Sequence, residues 1–323
     1  MTTPDRKFTR FIGIDVGKDC LAVHDSANGQ DFSIDNTIAS VTAWLTDNQC
    51  CACTLIVCEA SGGYELTLLD CTARLKLAAH RASANKVKSY IASFGTLAKT
   101  DPGDARALAR YGEERHNLMT LWGECDVDHR KLQALVLRRD DLLTMRVAEK
   151  NRLQAPGLEQ DGCGIVRQSC EALIDLLNRQ ITTIEITMDQ LIAASQRLTR
   201  KLTVLKTIKG IGQISAISII AHMPEIGTTT RRKAASLAGL APHPKDSGKT
   251  NKYRKTKGGR KALKRALFMP AMVAAQGNSP LSQHYNHLIK EGKKPIVAMT
   301  AIMRKIITIA NAKVRDDIIQ QQS

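Results

Sequence analysis

Residues 8–24 read FTRFIGIDVGKDCLAVH, and the fold of the N-terminal half turns on them. Apolar positions alternate with small or polar ones, the two-residue period of a strand, and Gly17-Lys18-Asp19 supplies a turn inside the pattern. Ser26-Ala27-Asn28-Gly29 marks a second turn, and Asp31–Asp35 reads as a partner strand. Outward from there, Ser40–Asn48 has helical spacing with Val41, Trp44 and Leu45 on one face. Thr54–Cys58 is a short unbroken apolar run, which suits a strand buried on both faces. A helix over Tyr64–Leu75, a strand over Leu77–Ala82 and a helix over Lys86–Phe94 follow. Pro102 stands where the first turn of a further helix begins, running to about Glu114. Strands first, then alternating strands and helices, predict an α/β domain over about 1–120.

The chain has 323 residues, enough for about two domains with cores of their own. Hydrophobic residues at 43% exclude a disordered or collagen-like chain. No uninterrupted run approaches the roughly 18 apolar residues of a membrane span. The opening MTTPDRKFTRFIGID interleaves charges where a signal peptide needs an apolar region, so the expectation is a soluble cytoplasmic protein. Nine cysteines, an odd number without a secretion signal, predict thiols rather than a disulfide framework. Cys50, Cys51 and Cys53 cluster, but no histidine or second cysteine pair lies at zinc-finger spacing.

Net charge is +16, and its distribution matters more than its total. Residues 201–323 hold 23 Lys and Arg against 5 Asp and Glu, a net +18, which leaves −2 for the first 200. Such asymmetry marks a polyanion-binding module joined to something else. The densest stretch, 245–265, has ten cations, one acid and no amphipathic apolar face, so nucleic acid suits it better than a membrane surface. Between the halves, Asp128–Arg152 is helical, Ala155-Pro156-Gly157 breaks the pattern, and Ile165–Arg200 reads as one long helix. Leu173, Leu177, Ile181, Ile184, Met188 and Leu191 recur every three or four residues, as in a coiled coil or an antiparallel hairpin. Three parts are therefore expected. They are an α/β domain (1–122), a helical linker with an oligomerisation role (123–201) and a mainly α-helical basic domain (202–323).

Four carboxylates stand out by placement. Asp15 lies inside the first strand pattern, and Glu59 ends the buried apolar run, before Ala60-Ser61-Gly62-Gly63. Acids beside apolar strands are costly unless they hold a metal or a partner. Asp101 and Asp104 sit three apart, on one face of a helix's first turn, where capping and dipole compensation are the simpler roles for each alone. Together the four match an RNase H-like arrangement. Their hard oxygens suit Mg²⁺, with Mn²⁺ as an alternative, and two ions about 4 Å apart can serve both the attacking and the leaving oxygen.

A second constellation begins at Lys209-Gly210-Ile211-Gly212, between two helical stretches. It resembles a helix-hairpin-helix, in which Gly210 and Gly212 let backbone N–H groups approach a phosphate; a plain helix break is the other reading. Next comes a cationic loop with Lys249, Lys252, Arg254, Lys255, Lys257, Arg260, Lys261, Lys264 and Arg265 as candidate nucleic-acid contacts. Ser247-Gly248-Lys249-Thr250 imitates the end of a phosphate-binding P-loop, but His243 occupies the first glycine's place and no strand precedes it. Ser247, beside a glycine among cations, can instead act as a nucleophile; an ordinary polar loop serine is the other reading, and composition alone does not single it out.

IGIDVGKD, CEASGGYE and KTDPGDARALARYG, then KGIGQISA, ASLAGLAPHPKDSGKT and GGRKALKRALFMPAMVA, together resemble the DEDD-type insertion-sequence transposases. That family includes a pilin-gene invertase and bridge-RNA-guided recombinases. The resemblance runs from about residue 11 to about residue 310. It implies a RuvC-like, RNase H-fold first domain and a transposase domain at the C-terminus. It puts Asp15, Glu59, Asp101 and Asp104 on the family's metal-binding acids and Ser247 on the serine that holds DNA as a phosphoserine ester. It also implies Mg²⁺ without a nucleotide cofactor, donor and target duplex DNA, a structured bridge RNA, a homodimer or homotetramer, and a prokaryotic, nucleoid-associated setting. Lys209 stands where the family often has proline, and 248–257 is richer in lysine than its pattern. A metal-dependent junction nuclease without a covalent intermediate, and a non-enzymatic nucleic-acid-binding protein, are the competing functions.

Overall fold

The alternating stretch forms two strands, β1 (Arg10–Val16) and β2 (Cys20–Asp25), joined by the turn at 17–19. The computed structural model describes residues 7–48, 50–94, 101–123, 126–155, 164–243, 246–247, 250–251 and 255–322, with backbone alone for 101–102, 243, 246–247, 250–251 and 322. The chain forms two compact units, Met1–Cys125 and Asp126–Ser323.

In the first unit, β3 (Gln30–Asp35), α1 (Ile38–Asp47), β4 (Thr54–Glu59), α2 (Leu66–Arg74), β5 (Ala78–Ala82), α3 (Ala84–Ala92) and α4 (Asp101–Arg115) follow in order. The five strands form one mixed sheet in the order β3-β2-β1-β4-β5. β1 pairs antiparallel with β2 and parallel with β4, and β4 pairs parallel with β5. Strand alternation sorts the sheet into two cores. Ile12, Ile14, Ile56 and Cys58 face Val41, Leu45, Leu68 and Leu69 of α1 and α2. Phe11, Leu55 and Val57 face Val87 of α3 and Leu108 of α4. This is the α/β domain expected, with helices on both faces. Thr37 caps α1 by accepting from the Ser40 N–H.

The second unit opens with a hairpin of α5 (Val127–Leu153) and α6 (Gly164–Ala194). At its base Leu132, Val136, Met188 and Ile192 enter the unit's main core; further out, Leu142, Leu177 and Ile181 form a small core of their own. Periodicity predicts one helix over Ile165–Arg200, but the chain breaks at Ser195, whose backbone is extended, and α7 (Gln196–Lys206) starts afresh. The Ile192 carbonyl at the break accepts from the Ser195 N–H and the Thr199 hydroxyl, which satisfies it without a continuous helix. Then come α8 (Gln213–His222), α9 (Arg231–Leu237), two short antiparallel pairs, α10 (Lys261–Ala266), α11 (Phe268–Ala275), α12 (Pro280–Lys290) and α13 (Pro295–Gln322). The pairs are β6 (Pro242–His243) with β9 (Lys255–Thr256), and β7 (Asp246–Ser247) with β8 (Thr250–Asn251).

Helix α13 is long and partly apolar. Interrupting polar residues hide it from a search for apolar runs, yet Pro295–Gln321 is long enough to cross a membrane and contains an 18-residue stretch of mean hydropathy 1.3. Ile302, Met303, Ile306, Ile307, Ala310 and Val314 on this helix are buried in the main core. Buried Asn311 accepts from the Gly227 N–H at 2.9 Å and donates to the Thr229 carbonyl at 2.8 Å. It serves as the central helix of this unit.

Glycine at position 13 sets the position of α4. A Cβ there would lie 2.0 Å from the Ala105 carbonyl oxygen and 2.3 Å from the Ala109 nitrogen. Helix and strand backbones thus touch with no side chain between them. Gly13→Ala is expected to displace α4 or destabilise the first unit by about 2 kcal/mol or more. The matching observable is loss of hydrogen-exchange protection in α4 together with a lowered melting temperature. Undiminished protection and an unchanged melting temperature would show that the close approach is dispensable.

Candidate active site

The parallel register of β1 and β4 ends at the pair Ile14 and Cys58. One residue further, Asp15 and Glu59 come side by side at the carboxyl ends of two adjacent parallel strands, where open α/β sheets place their ligands. Both are half-buried. By strand alternation they point to the face that carries Gly13 and Val57, the face covered by α4.

Helix α4 runs antiparallel to β1. Its residues 105–109 lie against Gly13, while Gly112 lies against Val57 and against Phe11, which is two residues nearer the start of β1. From Gly13 to Asp15 the strand advances roughly 7 Å, which a helix covers in about four to five residues. Asp15 is therefore level with the first turn of α4, where Asp104 is half-buried and Asp101 begins the helix. Three elements that are distant in sequence thus put Asp15, Glu59 and Asp104 at one edge of one face, with the backbone of Asp101 at the start of α4. The Asp101 side chain lies outside the described residues. Among the described side chains no three of His, Cys, Asp or Glu form a group able to hold one metal ion. Cys51 and Cys53 are an adjacent thiol pair, Sγ to Sγ 2.6 Å, elsewhere in the same unit.

Two residues that sequence patterns left unmarked hold the loops beneath these acids. Glu65, wholly buried, accepts from the Ser61 N–H at 3.1 Å and the Gly63 N–H at 2.8 Å, and pairs with Arg81 of β5. Burial alone would raise its pKa, but these N–H groups, its own N–H and Arg81 together hold it below the usual carboxylate range. The loop directly after Glu59 is thereby fixed. Asn36 donates to the Gly17 carbonyl at 3.0 Å and the Tyr64 carbonyl at 3.1 Å, tying the loop after β1 to the loop after β4. The CEASGGYE stretch contains the signal for Glu65, an acid two residues beyond a Gly-Gly turn; nothing near Asn36 in sequence announces its role. On the other side of the sheet's edge, Asp31 of β3 pairs with Arg106 of α4 and with His24. The Arg106 hydrogen bond comes first among the causes that bring Asp31 down to about 2.

Ser247 belongs to the second unit. Its backbone ends β7 and pairs with Thr250 of β8, so Gly248 and Lys249 are the two residues that connect the strands. The roots of this hairpin are β6 and β9, which pair through Pro242 with Thr256 and His243 with Lys255. A crossing of glycines anchors them. A Cβ on Gly239 would lie 2.3 Å from the Gly258 carbonyl oxygen, and one on Gly259 would lie 2.1 Å from the Gly239 nitrogen.

The expected nucleic-acid residues divide. Lys249, Lys252 and Arg254 lie outside the described residues. Lys209, Lys255, Lys257, Lys261 and Arg265 are exposed and Lys264 is half-exposed. Arg260 differs: it donates to both carboxylate oxygens of Glu225, at 2.7 and 2.6 Å, and to the His222 carbonyl at 2.8 Å. That guanidinium braces the start of α10 against the end of α8. Gly210 turns the chain between α7 and α8 close under the Pro270 carbonyl of α11, and Gly212 stands, exposed, as the N-cap of α8.

A transposase family model matches residues 12–158, and the model of the IS116/IS110/IS902 transposase family matches residues 202–286. The chain belongs to the IS110-type transposases. It is thus a DNA recombinase. Across 317 residues it is 28% identical to the pilin gene-inverting protein of Moraxella bovis, covering 95% of this chain and 96% of that protein. The pilin gene-inverting protein of Moraxella lacunata matches with the same identity and coverage. The IS110 insertion-element 43.6 kDa protein of Streptomyces coelicolor is 30% identical over 116 residues, which is 35% of this transposase and 28% of that protein.

Glu65 gives the site a defined acid response. Its pKa is lowered on folding, so its contribution to stability is complete above the ordinary value of about 4.3 and is lost as pH falls through the folded value. Glu65→Gln is expected to cost about 2 kcal/mol at neutral pH, by weakening the Ser61 and Gly63 bonds and leaving Arg81 unpaired. The deficit shrinks below pH ~4, where the parent carboxylate is also neutral. Thermal melts of parent and variant from pH 7 to pH 3 check this. Equal deficits at both ends would contradict the assignment.

Proposed function

We propose that this transposase cuts and rejoins DNA strands with Asp15, Glu59, Asp101 and Asp104 as a divalent-metal site and Ser247 as nucleophile. The observation that carries the reading is the convergence of Asp15, Glu59 and the start of α4 at the carboxyl edge of β1 and β4. An oxygen-only donor set on a rigid sheet and helix start fits Mg²⁺ or Mn²⁺. When bound, such an ion supplies Lewis acidity to a phosphoryl oxygen and a charge partner for the leaving oxygen. The strand order, with β1 central and acids on β1, β4 and α4, supports a RuvC-like, RNase H-type identity for the first unit.

The serine step keeps its balance without a nucleotide cofactor. The Ser247 hydroxyl loses its proton, its oxygen attacks the phosphorus, and one P–O bond to the DNA strand breaks as the leaving oxygen takes up a proton. One phosphodiester is replaced by another, so the bond energy is retained in a phosphoserine link. Attack by a second strand's hydroxyl then reverses the step and releases Ser247. The cations around the hairpin stabilise the charge on the phosphoryl oxygens. In this reading a structured bridge RNA pairs with donor and target DNA, and the enzyme acts as a dimer or tetramer. The α5–α6 hairpin, with Leu137, Met145, Val147 and Ile165 each exposed by 48% or more, is the oligomerisation element.

Ser247→Ala is expected to abolish the protein–DNA adduct that survives denaturing electrophoresis, while duplex binding stays within about two-fold. Asp15→Asn is expected to lower strand cleavage by at least about 100-fold with binding likewise retained. Cleavage without an adduct in the parent enzyme would replace this reading with a junction nuclease. Sequencing of co-purified RNA tests guidance: one discrete structured species supports it, and a random cellular mixture overturns it.

A further inference from the structure

The second unit holds a groove of about 1090 Å³ between β6–β9, α10, the start of α11 and the first turns of α13. Its wall has two characters. Lys255, Lys261, Lys264, Arg265 and Arg304 line it, with no acid among the lining residues. Among the described residues none of these five is ion-paired, in contrast to Arg260, which Glu225 neutralises. Five unpaired cations around one hollow repel one another and favour an anionic occupant.

The floor is apolar. Leu240, Phe268 and Ile296 contribute to it, and Phe268 is 39% exposed and Ile296 62% exposed. Duplex backbone binding calls for cations on a surface, with no need for an apolar hollow behind them. A lone phosphate or polyphosphate likewise leaves the floor unused. The ligand with charge outside and a flat apolar body inside is a nucleotide whose base has left its stack. Its phosphates meet the cationic rim and its base lies on Phe268, with the Thr256 hydroxyl in the wall available to its edge and the Thr300 hydroxyl, which donates to the Ile296 carbonyl, left to accept. The volume lies just above the roughly 300–1,000 Å³ typical of small-ligand clefts, room enough for one nucleotide.

The groove's place in the chain relates it to the chemistry. Its wall includes Pro242, Lys255 and Thr256, the roots of the ribbon from which the Ser247 hairpin springs. Ser247 is four residues beyond His243 in the chain, a covalent reach of at most about 14 Å. We propose that this groove binds one unstacked nucleotide of the DNA strand under attack, a few positions from the phosphate that Ser247 engages. The assignment rests on the recombinase reading above. It adds that the enzyme distorts its substrate by withdrawing a base beside the cleavage point.

Three fluorescent probes of equal length test it with the full-length protein: an oligothymidylate, a blunt duplex, and an abasic deoxyribose-phosphate chain. Phe268→Ala is expected to weaken oligothymidylate binding at least about five-fold, the lower end for loss of one stacked base. Duplex and abasic-chain binding should stay within about two-fold. Ile296→Ser, at a more exposed position, should reproduce the pattern; both variants should melt as the parent does. Equal losses on all probes, or no loss on any, would overturn the groove assignment. A ten-fold preference for oligouridylate over the DNA strand, or binding of phosphatidylserine vesicles in place of oligonucleotides, would also overturn it. Those results leave the recombinase reading intact as long as the parent still forms its Ser247 adduct, whereas loss of that adduct in the parent defeats the recombinase reading itself.

Discussion

The backbone contact between α4 and β1 at Gly13 governs the first unit. With no side chain between helix and strand, the first turn of α4 is drawn to the end of β1, and a carboxylate on each is brought to the same edge. Like charges gathered in this way repel, and flexible loops would let them drift apart. Here they stand on a strand end, a neighbouring strand end and a helix start, each fixed by packing. Glu65 and Asn36 extend the rigidity into the loops that leave β1 and β4. A site held within a few tenths of an ångström needs such support, because misplacement of about 1 Å can cost two orders of magnitude in rate.

The second unit meets the opposite problem, since most of its charge has one sign. Its core is strongly apolar and helical, with α13 at the centre, so cations are confined to the surface and to the ribbon between β6 and β9. The Gly239 and Gly259 crossing fastens that ribbon at its root. The hairpin with Ser247 thus projects from a fixed base.

Much of the first unit was legible in the sequence because its signals are local. Period-2 alternation marked β1 and β2, the continuous apolar run marked β4, and Pro102 marked the start of α4. Asp15 and Glu59 were conspicuous for a related reason, since each is a carboxylate in or at the end of an apolar strand pattern. What escaped depends on contacts between distant segments. The break at Ser195 lacks Gly or Pro, and Leu198 and Leu205 continue the apolar period beyond it, so only the carbonyl bonding at Ile192 reveals it. Arg260 sits in a run of cations and reads like its neighbours, yet Glu225, 35 residues away, makes it a brace. Phe268 belongs to an apolar helix in sequence, and its exposure arises from the way α10, α11 and α13 leave a hollow.

The division of charge also has a physical rationale. In the cationic unit, acids are drawn into ion pairs: Glu225 with Arg260, Asp316 with Arg315, and Asp317 with Arg200. A metal-binding carboxylate placed among those arginines would meet the same fate, since an adjacent guanidinium competes with a cation for the same oxygens. Conversely, phosphate-binding lysines placed beside the acid edge would be neutralised before DNA arrived. Keeping acids in a unit near electrical balance and cations in another leaves both available to phosphate chemistry.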